Sequence, residues 1–373
     1  MIGMVLVQDG LARQFPYLLG QGNKDAALRI AATAKWWYLL LCWLFSIIFA
    51  ALLLRSLMIG DYRSAVGWGV QIPCIWTVIF GAYLGVMYRT SLDFKRLSYN
   101  SVIAKVIDFS SLIIVKLWGY WGLAARSVIA SVVGLYLGRH YVPVKVKAVL
   151  DVKGLLDLAR TSLPLTIPSY IRFSFLNATL SCIVLKYCGQ NGLGIFGMAL
   201  VFLGVSMTLT ASIHQMFVTK LTHKFGETED IAACLKCSIR PTLMSVGAST
   251  ILAVALCLVI GPFIHLLLPK YEDAIPVIRI LALQLPLSAA QLPFIIIRAA
   301  LWYKSGFALA LAQVGGCLTA VAILPITLPV IAASKVIGEF AVLVLGYGIL
   351  RWHKAAKATP GLPFPEPLCN MPK

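Results

Sequence analysis

The stretch WWYLLLCWLFSIIFAALLLRSLM, Trp36–Met58, decides what kind of molecule this is. It carries a single charge, Arg55, in 23 residues. Wound as an α-helix at about 1.5 Å per residue it is about 35 Å long, enough to cross a hydrocarbon core of roughly 30 Å. Backbone in hydrocarbon must satisfy its own donors and acceptors. The stretch lacks the period-two alternation of a transmembrane barrel strand, so it reads as a membrane-spanning helix.

Working outward, the same criterion picks out nine more segments, at 66–87, 98–118, 120–137, 163–187, 193–218, 241–268, 274–302, 306–330 and 331–351. The expectation is an all-α polytopic membrane protein with about ten full transmembrane helices. The whole-chain composition agrees. Of 373 residues, 60% are apolar and only 12% charged, with a mean hydropathy of +0.87, whereas soluble chains carry about 25% charge. Disorder and most soluble enzyme folds are excluded, and nine cysteines over this length are too sparse for a secreted disulfide scaffold. Residues 1–8, MIGMVLVQ, are apolar but too short to span, and they lack the basic start and cleavage site of a signal peptide.

The chain also repeats itself. GLAARSVIASVVGLYLG (Gly122–Gly138) aligns without gaps to VIAASKVIGEFAVLVLG (Val330–Gly346), with seven identities in seventeen at an offset of 208. GNKDAALRIAATAK from Gly22 resembles GETEDIAACLKCSIR from Gly226 at nearly the same offset. A shift of about 205 residues carries 36–58, 66–87 and 98–118 onto segments already identified, but carries 163–187 back past residue 1. The expectation is two six-helix pseudo-repeats in parallel orientation. An N-lobe at 1–150 would lack its first helix and begin with a stub at residues 1–13, and a C-lobe would occupy 151–373.

Basic residues outnumber acidic ones 32 to 14, a net charge of +18. They sit in short connections between apolar segments, with no nucleic-acid motif, so the partner they imply is the anionic membrane surface rather than RNA or DNA. One alternate set of connections holds 22 Lys and Arg residues and the other set six. This bias puts the first set, and the C-terminal tail with it, in the cytoplasm. The basic linker from Val144 to Leu165 reads as a segment lying on the inner leaflet.

Five stretches carry a family resemblance, in order along nearly the whole chain. They are GLARQFPYLLGQGNKDAALRIA (from Gly10), YWGLAARSVIASVVG (from Tyr120), LPLTIPSYIRFSFLNATLSCIVLKYCGQNGLGIFGMAL (from Leu163), HQMFVTKLTHKFGETED (from His214) and PKYEDAIPVIRILALQLPLSAAQLPFIIIRAALWYKSG (from Pro269). The chain resembles the polysaccharide flippases, the O-antigen (Wzx-type) branch of the multidrug/oligosaccharidyl-lipid/polysaccharide (MOP) exporter superfamily. The resemblance implies two lobes around a central cavity and alternating access. It further implies an undecaprenyl-diphosphate-linked oligosaccharide as cargo in the inner membrane, with a polysaccharide polymerase and chain-length machinery as further partners. This chain departs from the pattern in lacking the first helix, and in carrying Leu180 where an acidic residue is common about fourteen positions before the Gly194-Ile195-Phe196 step.

Intramembrane charges are the candidate site, because each costs roughly 2.5–3.5 kcal/mol at mid-bilayer on insertion scales. Ser101, Lys105, Asp108 and Lys116 share a polar arc about 80° wide on one helix. Either Lys105 attracts a diphosphate while Asp108 poises it, or the two neutralise each other. Arg172 lies deep and follows Pro164 and Pro168, and a guanidinium suits bidentate phosphate recognition. A polar stripe of Thr166, Tyr170, Ser174, Asn177 and Ser181 falls on nearly the opposite side of an ideal helix, so both faces meet a cavity only if the helix bends. The resemblance sets Arg13 near the cavity mouth. Arg126 contacts substrate or snorkels to headgroups, as Arg55, Lys116, Lys186, Arg279 and Arg298 do. Lys335 and Glu339, four apart, form a coupling site or an ion pair. His214, Gln215, Gln284, Ser288 and Gln291 bind sugar hydroxyls or bridge helices.

Cys234 and Cys237 have CxxC spacing without a second pair, and no metal is expected. No nucleotide loop or catalytic constellation occurs. The expectation is a transporter without cofactor, driven by an ion gradient, the membrane potential or substrate consumption. The alternatives are a multidrug/toxin extrusion antiporter, disfavoured by the deep basic residues, and an O-antigen polymerase or acyltransferase, disfavoured by the short outward connections.

Overall fold

A computed structural model describes the backbone of residues 2–91, 93–228 and 230–358. Within them it describes every side chain except those of 2–6, 101, 105, 108, 109, 112, 116, 209, 267 and 354–358. The described residues are helical, joined by short connections, and they pack as two compact units, Met1–Leu163 and Pro164–Lys373.

The first unit contains α1 (Ile2–Gly20), α2 (Lys24–Ile59), α3 (Tyr62–Thr90), α4 (Phe94–Ser110), α5 (Leu112–His140) and the start of α6 (Val152–Tyr170). Local chemistry sets the turns. Gly60 closes α2 in the left-handed region (φ 79°), and Asp61 then caps α3 by accepting a bond from the Ser64 amide. The result is a tight α2–α3 hairpin, pinned further along where Trp76 donates to Ser46 Oγ at 2.9 Å. α5 runs parallel to α3, as two bonds show: Thr77 Oγ1 donates to the Ser131 carbonyl and Tyr88 OH to that of Gly138.

Val7, Leu11 and Phe15 of α1 pack on the alanines of α2 (Ala27, Ala31, Ala34), on Tyr83 and Met87, and on Leu158 of α6. Small residues let these helices approach closely. A Cβ on Gly10 would come within 2.7 Å of the Leu158 carbonyl, and the Gly10 amide donates to Ser162 Oγ. The start of α6 is thus part of the core of the first unit.

The second unit continues through a π-helical turn (Ile171–Phe175) into α7 (Leu176–Thr228), α8 (Ile231–Leu267), three short helices α9 (Ala274–Ala282), α10 (Gln284–Ala289) and α11 (Ile295–Ala299), then α12 (Tyr303–Ile323) and α13 (Leu328–Ala358). Its core gathers Leu176, Leu180, Phe196, Ile260, Ile264, Ile278 and Ile331.

Among the described residues, seven helices are long and apolar enough to cross a membrane, or eight if the pair Ala274–Ala289 and Leu292–Ala299, bent by 50°, is one span. This is fewer than the ten segments read from the sequence. Segments 163–187 and 193–218 are parted by a non-helical break at a single residue, Gly189 (φ 71°, ψ −172°), with no loop between the two helices, so they count once there. Segment 98–118 is divided: α4 has 17 residues, about 26 Å at the α-helical rise and short of the hydrocarbon thickness, and α5 breaks again at Gly119 (φ 54°). Bulky apolar side chains lie outermost, with Trp43 61%, Met58 86% and Ile251 73% exposed. That is the surface of a multi-pass membrane protein, whose solvent is lipid.

Candidate functional site

The site in the second unit starts from two prolines. Pro164 and Pro168 remove amide donors from α6, and the helix widens into the π turn just after them. There the Leu176 amide donates to the Ile171 carbonyl, a bond five residues long. On an α-helix Arg172 and Asn177 would point about 140° apart, whereas the π turn brings residues five apart toward one face. That is the bend which the opposed polar faces of this segment require. Arg172 and Asn177 then meet two charges one turn apart on α13, Glu339 and Lys335.

Around Glu339 four side chains close a ring. Arg172 Nε donates to Gln313 Oε1 (2.5 Å), and Arg172 Nη2 donates to Gln291 Oε1 (2.7 Å). Each glutamine passes the interaction on: Gln313 Nε2 donates to Glu339 Oε1 (2.7 Å), and Gln291 Nε2 donates to Glu339 Oε2. Arg172 Nη2 also stands 3.6 Å from Glu339 Oε2. Glu339, Gln291 and Gln313 are buried, and the Arg172 side chain keeps 17% of its surface exposed. Charge-assisted bonds of this kind are the strong ones, and a fully satisfied buried network is rigid. Two of the five guanidinium N–H groups are used in the ring. Nη1 makes no hydrogen bond to a described residue.

Arg172 and Glu339 line a cavity of about 390 Å³. The wall also holds Arg298, His214, Gln215 and Ser288, with Phe173, Phe294, Trp302 and Tyr303 as its aromatic part. Arg298, in α11 after the 50° bend, lines the cavity. Leu301, with φ 56°, turns the chain into α12, and Trp302 stacks on His353 at 3.8 Å between centroids.

The other predicted residues lie as follows. Lys335 donates to Asn177 Oδ1 at 2.8 Å, and Asn177 donates to the Phe173 carbonyl of the π turn. Lys335 and Glu339 thus each take a partner from another helix, not one another. Arg13, in α1, lies over the Tyr17 ring at 4.3 Å, and Arg126 is half-buried in α5. The side chains of Lys105 and Asp108, on α4, lie outside the described residues. Gln313 and Asn177 are the ring and support residues that spacing alone did not single out as ligands. The signal available for Gln313 was one amide in an otherwise apolar helix. Among the described residues no cluster of three or more metal-ligating side chains occurs.

The family model described as "Polysaccharide biosynthesis protein" matches residues 42–242. Among curated proteins, none matches the chain in sequence. Solved structures share the fold. An outward-facing multidrug resistance MATE family transporter of the MOP superfamily is 16% identical, with a TM-score of 0.77 over 96% of this chain and 85% of that one. A MOP superfamily transporter from Pyrococcus furiosus, described as having a binding pocket of reverse polarity, is 15% identical with a TM-score of 0.76, over 96% and 86%. A MATE protein in complex with MaL6 is 16% identical with a TM-score of 0.77, over 96% and 87%.

Proposed function

Since the chain belongs to the polysaccharide biosynthesis protein family and has the MOP-superfamily transporter fold, we propose that it flips a lipid-linked oligosaccharide carried on undecaprenyl diphosphate across the inner membrane by alternating access. The observation that carries this reading is the charge of the second-unit cavity. Two guanidinium groups, Arg172 and Arg298, share the wall with a single carboxylate, Glu339. These three charges sum to one net positive charge. A proton on Glu339 raises it to two and loosens Arg172, whose Nη1 is already uncommitted. A diphosphate is the chemistry that two arginines recognise, and the amides and hydroxyls around them suit sugar hydroxyls.

In this reading Glu339 is the coupling group. Deprotonated, it holds Arg172 in the ring. Protonated, it gives up the guanidinium to the cargo. Lys105 and Asp108, Arg13 and Arg126 provide further contacts in the first unit. The lobes near 1–150 and 151–373 act as parallel repeats, with the basic connections and the C-terminus cytoplasmic. A polymerase and chain-length proteins act on the product.

A second reading, extrusion of an organic cation, draws on the same buried carboxylate and on the aromatic wall. It is weaker because Glu339 already has a resident cation. The experiment is complementation in a host whose surface glycan depends on the full-length protein. Arg172→Ala and Lys105→Ala are expected to abolish glycan display at unchanged protein abundance. Normal display in both variants, or a change in drug resistance alone, would overturn the reading.

A further inference from the structure

A larger cavity, about 690 Å³, lies in the first unit and takes no part in the scheme above. Lys35, Arg139 and Lys145 stand at its mouth, and Trp76, Phe80 and Leu135 line its interior. No carboxylate is among its lining residues.

The linker after α5 builds one wall. Lys35 Nζ donates to the Val146 carbonyl at 2.7 Å, and the Val149 amide donates to the Ala32 carbonyl at 3.3 Å, so the extended segment is tied across α2. That bond uses one of the three ammonium donors of Lys35. Arg139 and Lys145 make no hydrogen bond or ion pair to any described residue, and both are exposed. Three cations without a counter-charge at the mouth of an apolar, aromatic cleft match an amphiphile with an anionic head.

We infer that this pocket binds one phosphate-bearing anionic lipid, its phosphate between Lys35, Arg139 and Lys145 and its chain along Trp76, Phe80 and Leu135. The basic end of the pocket is built by Lys35, the last turn of α5 and the segment after it, so a lipid enters head toward these charges and chain inward, in the sense in which it already stands in a leaflet. The site is resident and separate from the cargo cavity, and it ties the segment that joins α5 to α6 to the bilayer surface. Each basic residue near such a surface contributes roughly a fivefold preference, so losing two weakens binding about 30-fold.

The test is native mass spectrometry of the full-length protein in detergent, titrated separately with dioleoylphosphatidylglycerol, dioleoylphosphatidylcholine and inorganic phosphate. The expected result is one tightly held phosphatidylglycerol and a weaker phosphatidylcholine adduct, with the phosphatidylglycerol retained in millimolar phosphate. The pair R139Q/K145Q weakens that adduct about 30-fold, and R55Q/R63Q, at the far end of the α2–α3 hairpin, leaves it unchanged. Leu135→Trp, which fills the apolar floor and keeps every charge, also weakens it and guards against misfolding of the charge variant. Equal binding of the two lipids, full displacement by phosphate, or an unchanged adduct in both pocket variants would overturn the inference.

Discussion

Replacing Glu339 by Met asks whether the buried ring is one unit. The substitution leaves the Arg172 guanidinium without its counter-charge and leaves two glutamine amides, Gln291 Nε2 and Gln313 Nε2, without their acceptor. Breaking a buried pair from one side costs about 3–5 kcal/mol, and each orphaned donor adds about 1–3 kcal/mol before relaxation. Arg172→Met is milder: the carboxylate keeps both glutamine donors. The double variant removes both charges together, so its cost falls short of the sum of the singles by at least about 2 kcal/mol, the coupling expected within one network. The assay is SDS-driven unfolding of the purified protein in mixed micelles, with all four members of the cycle measured in one lipid background. Additive singles, or an Arg172→Met variant more damaged than Glu339→Met, would refute the ring as described.

Other consequences follow from single contacts. Asn177→Leu strips Lys335 and the Phe173 carbonyl of their partner and is expected to cost about 3 kcal/mol in the same unfolding assay; adding Lys335→Met should recover most of it. Gly10→Val sets a side chain against the Leu158 carbonyl and is expected to cost about 1–3 kcal/mol, read as a lower unfolding midpoint. Gly194→Ala, at a position with nothing within 4 Å, is the control and leaves the midpoint unchanged or higher. Gly60→Ala, forced to φ 79°, costs about 1–2 kcal/mol; hydrogen exchange at the α2–α3 turn locates the loss. Glu339→Gln mimics the protonated carboxyl, and in binding titrations it is expected to hold a diphosphate-linked lipid more tightly while turning over more slowly.

Helicity and membrane residence were legible because a stretch such as Trp36–Met58 leaves the backbone no other way to satisfy itself in lipid. What composition does not encode is where a helix bends. Segments 163–187 and 193–218 read as separate helices, and a single residue, Gly189, makes the break between them. Arg298 looked like a residue free to reach headgroups, yet it lines the cavity.

The same limit applies to the site. Lys335 and Glu339 at i,i+4 invite the inference of mutual neutralisation. Their partners come instead from a π turn that aligns Arg172 and Asn177 with them, and its traces in the sequence were two prolines and two opposed polar faces. Deep charge pointed to Arg172 and Glu339 because burying it in lipid has a cost that some partner must offset, and the two side chains lie 3.6 Å apart. A neutral amide such as Gln313 carries no such signal.

The most direct measurement is translocation by the full-length protein in liposomes, comparing an undecaprenyl-diphosphate-linked oligosaccharide with the same sugar on a neutral lipid. Sugar reaching the far leaflet is scored by cleavage with an added glycosidase. The account predicts protein-dependent movement of the diphosphate-linked substrate only, lost in Arg172→Gln and in Arg298→Gln. Equal movement of the neutral lipid, or full activity in both arginine variants, would contradict it.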